Sequence, residues 1–155
     1  MLTRPQASRL SLAALSLAAV AALSACGVMS PTDSNMVALN TQLRGANEIP
    51  AITGSGYGTV DAAFNKTTNV LSWKVNYSAL TGPAKAGHFH GPAANGANAG
   101  VALGWTNPIS SPMEGSATLT AAQAADLLAG RWYANIHTAA NPGGEIRGQM
   151  MVVSK

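Results

Sequence analysis

Along residues 70–77, Leu71, Trp73, Val75 and Tyr77 alternate with Ser72, Lys74 and Asn76. A period of two puts each set on its own face of a β-strand, one buried and one wetted. The same alternation, broken by Gly, Asn and Pro at intervals of about 8 to 12 residues, predicts further strands over 37–44, 56–64, 86–90, 101–105, 114–119, 132–137 and 145–153. The polar stretch 65–69 is short enough to link the strands 56–64 and 70–77 as a hairpin. The last two strands, joined through 138–144, are expected to pair with each other.

One segment has a different period. Thr120 can cap a helix, Gln123 completes a capping box, and residues 121–128 are strong helix formers that stop at Gly130. The pattern therefore predicts an all-β fold, an antiparallel Greek-key sandwich or barrel, with one short helix over about 120–129.

At the N-terminus the alternation is absent. Residues 10–23 are an unbroken run of Leu, Ala, Ser and Val behind Arg4 and Arg9. That run is shorter than the roughly 20 residues a spanning helix requires, and suits the apolar core of a secretory signal. Leu23-Ser24-Ala25-Cys26 then supplies the residues of a bacterial lipobox. On this reading residues 1–25 are a lipoprotein signal peptide, Cys26 is lipidated, 26–36 form a tether, and 37–155 form the domain. Gly27 stands where inner-membrane lipoproteins typically carry Asp, which in a two-membrane bacterium resembles the outer-membrane default, so the expected place is the outer membrane, facing the periplasm. A single cysteine excludes a disulfide framework, and lipidation accounts for it.

Charge narrows the functional classes. Nine Lys and Arg stand against six Asp and Glu, and only seven of the nine remain without Arg4 and Arg9. A balance that close to neutral carries no footprint for nucleic acid. No Ser-His-Asp set, cysteine nucleophile, phosphate loop or paired catalytic carboxylates can be assembled.

The three histidines are the remaining chemistry. His88 and His90 sit two apart in Gly87-His88-Phe89-His90-Gly91-Pro92, and His137 ends the strand 132–137. Strand residues two apart share a face at Cα spacings of about 6.5 Å, so the first two imidazoles can converge, and a third from a neighbouring strand makes an open three-histidine metal site. Phe89 faces the core. Copper(II) outranks zinc for such a site in the Irving-Williams order, so copper is the expected ion and zinc the alternative. Met113, expected in a loop, and Met150 and Met151 on the last strand offer soft donors, though methionine more often fills core gaps. Tyr133 and Asn135 share the face of His137 and are candidate supports for it. Glu145 and Arg147 could pair across one strand face or orient a histidine. Lys85 and Arg131 read as solvated charges.

The sequence resembles the CHRD domain, named for chordin, over about 37–153. The resemblance rests on Glu48-Ile49-Pro50, on residues 87–93, on Leu119-Thr120, on residues 128–133 through His137-Thr138, and on residues 141–149. A fainter likeness links His88, His90 and His137 to three copper ligands of Cu/Zn superoxide dismutase, a Greek-key barrel, but the bridging histidine and the zinc ligands have no counterpart. Three functions follow as expectations: an envelope lipoprotein that binds copper for storage, delivery or resistance; a metal-free adhesive or partner-binding module; and a mononuclear copper redox enzyme.

Overall fold

Residues 34–106 and 108–154 are described by the computed structural model. The signal segment, Cys26 and most of the tether lie outside them.

The first three strands, β1 (Met36–Arg44), β2 (Tyr57–Asn65) and β3 (Val70–Ser78), form an antiparallel meander paired over its full length. Its second turn is tight for a local reason. The Asn65 side chain accepts from the backbone N–H groups of Thr67 and Thr68 at 2.8 and 3.1 Å, and Asn69 takes the left-handed conformation with φ of 56° that closes the turn. Next come β4 (Ala84–His90), β5 (Val101–Gly104) and β6 (Met113–Thr118). The helix α1 (Ala121–Leu128) starts at Thr120 with both halves of the expected capping box and ends before Gly130, whose φ is 69°. β7 (Tyr133–Thr138), β8 (Ile146–Gln149) and β9 (Met151–Ser154) complete the order.

The nine strands of the described residues belong to one curled antiparallel sheet. Its order is β5-β4-β7-β8-β1-β2-β3-β6, with β9 also paired to β1. β7 and β8 pair as expected, but the final strand is not continuous over 145–153. It breaks at Met150, which is fully buried and whose N–H bonds to Trp132 O. β8 stays on β7, while β9 crosses to β1. Two smaller differences accompany this. Met36 begins β1 rather than ending the tether. Met113 opens β6 opposite Val75 and packs against the core instead of lying in a loop.

The concave side holds the apolar core. Phe89 lies at its centre, edge-on to Trp73 and Trp105 at centroid distances of 5.4 and 5.2 Å and tilted against Trp132 at 5.9 Å. Each tryptophan lies against a glycine: a Cβ on Gly87 would come within 2.2 Å of Trp105, and one on Gly91 or Gly115 within 2.5 Å of Trp132 or Trp73. Alanine at any of these places would displace an indole. No helix among the described residues is long and apolar enough to cross a membrane.

Candidate metal centre

β4 and β7 run antiparallel with Ala86 opposite His137, His88 opposite Asn135, and His90 opposite Tyr133. Facing residues project to the same side. The register therefore gathers His88, His90, Tyr133, Asn135 and His137 on the face turned away from Phe89. Asn135 in turn faces Arg147 on β8. Part of this outer face is shielded from water: Tyr133, Asn135 and Arg147 are buried beneath the chain around Glu48, Ala97 to Ala99 and Gly143, while the three histidines are half-buried.

The three imidazoles converge. One ring nitrogen from each lies within 4.8 Å of the others, and His88 Nδ1 is 3.1 Å from His137 Nε2. Metal–nitrogen bonds of about 2.0–2.1 Å in tetrahedral array separate the donor atoms by roughly 3.3 Å, so one pair is already near that spacing and small ring movements bring in the third. The outward nitrogens are tied down. His90 Nδ1 donates to Ala99 O at 3.1 Å and His137 Nδ1 to Pro142 O at 3.0 Å. With those protons fixed on Nδ1, each Nε2 keeps its lone pair for the interior of the site. His90 Nε2 is buried and meets no hydrogen-bond partner among the described residues. Between the other two rings, the same network makes His88 Nδ1 the donor and His137 Nε2 the acceptor. With its own proton on Nε2, His88 would offer Nδ1, and the three ring nitrogens could then hold a metal ion together.

All three histidines are held below their ordinary value of 6.5. Burial is the main cause for each. His137 and His90 add repulsion at His88, the hydrogen bond to Ala99 opposes the shift at His90 while His137 and Arg147 add to it, and the bond to Pro142 opposes it at His137. At neutral pH the rings are therefore uncharged, the form in which imidazole binds metals.

The neighbours expected to support the site divide. Tyr133 stacks on His90 with parallel rings 4.8 Å apart, and its hydroxyl both donates to Ala99 O and accepts from Ala99 N. Arg147 lays its guanidinium on the Tyr133 ring, 3.4 Å from the centroid, and donates to Asn98 Oδ1 and Ala97 O. Asn135 donates to Glu48 Oε1 at 2.7 Å, leaving its own Oδ1 buried without a partner among the described residues. Glu145 bonds to no histidine. It accepts from Thr81 N, Thr81 Oγ1, Thr138 Oγ1 and Asn141 Nδ2, and no ion pair joins it to Arg147 among the described residues. Burial works against its ionisation, but those donors outweigh burial and hold the carboxyl below its ordinary value. Lys85 is exposed; Arg131 pairs with Asp126.

Glu48 is the residue that sequence reasoning missed as part of this face. It is buried, borders a cavity of about 160 Å³ shared with His90, Tyr133, Asn135 and Arg147, and fixes the Asn135 amide. Burial pushes its carboxyl from 4.5 up to about 7, against the opposing pull of Arg147 and the Asn135 hydrogen bond. Gly144, with φ of 131°, passes so close that a Cβ there would lie 2.3 Å from Asn135 Nδ2 and 2.6 Å from Glu48 Oε1.

The CHRD domain family model matches residues 39–150, a span that holds all of these groups. The chain belongs to the CHRD family. No curated protein and no solved structure shows significant similarity to it.

Proposed function

We propose that this CHRD domain is a copper-binding module, carried on a lipoprotein of the cell envelope, that holds one ion through His88, His90 and His137 for storage, delivery or resistance. The observation that supports it most strongly is the buried His90 Nε2, unpartnered among the described residues, on a ring that Tyr133 packs and that Ala99 holds with its proton on Nδ1, leaving Nε2 free to ligate. An unsatisfied buried acceptor costs about 1–3 kcal/mol, and coordination supplies what it lacks. Copper is favoured over zinc by the affinity order for imidazole sites. The anchor rests on the lipobox residues 23–26 behind an apolar segment.

Titration of the metal-free full chain with copper and with zinc tests the reading. One copper per chain is expected, held more tightly than zinc and lost in both His88→Ala and His137→Ala. Absence of copper binding above background would overturn it in favour of a metal-free adhesive or partner-binding module. Fractionation of cells tests the location: the chain should sediment with the outer membrane, and Cys26→Ser should release it.

A further inference from the structure

An ion held by three neutral imidazoles receives no negative charge from its ligands, and among the described residues no thiolate or carboxylate joins His88, His90 and His137 in the cluster. The outward ring nitrogens of His90 and His137 meet backbone carbonyls, not carboxylates. A carboxylate behind a ligand histidine makes the ring a stronger donor and lends the site negative charge; a carbonyl adds no net charge.

The permanent charge stacked towards this cluster is positive. Arg147 lies 3.4 Å from the centre of the Tyr133 ring, and Tyr133 lies parallel on His90. Arg147 is 3% exposed, and its guanidinium is held by the neutral oxygens of Asn98 and Ala97 and forms no ion pair among the described residues. Guanidinium stays charged throughout the working pH range, and its field is weakly screened when buried. Beside such a cation, every added unit of metal charge costs energy, so the lower oxidation state gains.

Resting on the copper reading above, we propose that the site selects copper(I) over copper(II) and zinc(II), and that Arg147 is the positioning residue that sets this preference through Tyr133 and His90. Glu48 is the opposing lever, since it faces the same cavity as Arg147 and His90 and can bring a negative charge there.

The test measures copper(I) and copper(II) affinities of the full chain separately, under anaerobic and aerobic conditions, by competition with chromophoric chelators selective for each state. Arg147→Gln should lower the copper(I)-to-copper(II) affinity ratio by roughly tenfold, which is about 59 mV for a one-electron couple. Arg147→Lys, which keeps the charge but not the planar stack, should retain most of the ratio. Glu48→Gln should move it the other way. Silver(I), equal to copper(I) in charge, should compete for the metal-free chain where zinc does so only weakly. A ratio unmoved by Arg147→Gln, or lowered as far by Arg147→Lys as by Arg147→Gln, would overturn the proposal. If the Arg147 variants fail to fold, Glu48→Gln decides: an unchanged or lowered ratio rejects it. Copper bound with a ratio indifferent to these residues defeats this inference alone, whereas no binding of either state defeats the copper reading itself.

Discussion

β4 and β7 carry two faces built on opposite rules. Towards the core, Phe89, Ala134 and Ile136 are fully buried, and their contribution scales with the apolar area removed from water, whatever its detailed direction. On the other face, His88, His90, Tyr133, Asn135 and His137 are placed by individual hydrogen bonds and stacks, and two buried acceptors, His90 Nε2 and Asn135 Oδ1, have no partner among the described residues. A face selected for stability alone would not leave polar atoms stranded, because each costs more than a satisfied hydrogen bond returns. The same four-residue stretch, Gly87 to His90, thus carries the core and the histidine cluster on alternate positions.

Mutations that strike one face at a time break this comparison most sharply. Phe89→Ala removes the ring at the centre of the three tryptophans and should cost about 3–5 kcal/mol, read as a fall in the urea midpoint of the metal-free chain. Gly87→Ala should cost about 1–3 kcal/mol by overpacking, since its Cβ would fall 2.2 Å from Trp105 Cε3. A Gly87→Ala variant as stable as wild type in the same urea titration would mean that Trp105 has room to move.

How much of this was legible beforehand follows the same division. The alternation of Leu71, Trp73, Val75 and Tyr77 and the Thr120/Gln123 capping box are local patterns, and the structure repeats both within a residue or so. The three-histidine cluster was legible because His88 and His90 are fixed by strand period, and His137 comes from a strand that pairs with theirs. The break at Met150 was not, because a buried apolar residue reads identically in a continuous strand and in one that changes partners. Nor was Glu48: its burial depends on Asn135 being 87 positions away in the chain and on Gly144 leaving room, neither of which a local pattern records. The expected pairing of Glu145 with Arg147 failed for a related reason. Hydroxyl and amide donors from Thr81, Thr138 and Asn141 claim the carboxylate, while the Tyr133 ring claims the guanidinium.

Glu48 makes the outer face respond to pH. Its folded value of about 7 lies above its unfolded 4.5, so the folded state holds this proton more tightly. The associated stability is complete below about 4.5, declines as pH rises, and is gone above 7. Glu48→Gln keeps the acceptor for Asn135 without the charge. Relative to wild type it should gain roughly 1–2 kcal/mol at pH 8 and little at pH 4, read as the difference in urea midpoints. Comparing variant with wild type at each pH cancels the opposing contributions of the histidines, which lose stability as pH falls through 6.5, and of Glu145, which does so below 4.5. An equal effect at both pH values would show that the carboxyl stays protonated or stays solvated throughout.

The smallest expected effect on stability is also the most decisive for function. His88 is half-buried, and its protein hydrogen bond is the one it shares with His137, so His88→Ala in the metal-free chain should move the unfolding free energy by no more than about 0.5 kcal/mol. The same substitution should weaken copper binding at least about a hundredfold, because it removes a direct ligand where losing even an outer partner costs 10- to 100-fold. Its neighbour Phe89 should show the inverse pattern, a large loss of stability with the ring nitrogens of His88 and His90 still chemically intact. If His88→Ala instead destabilised the metal-free chain as strongly as Phe89→Ala, the imidazoles would be structural members of a polar layer. The two faces of β4 would then differ only in polarity.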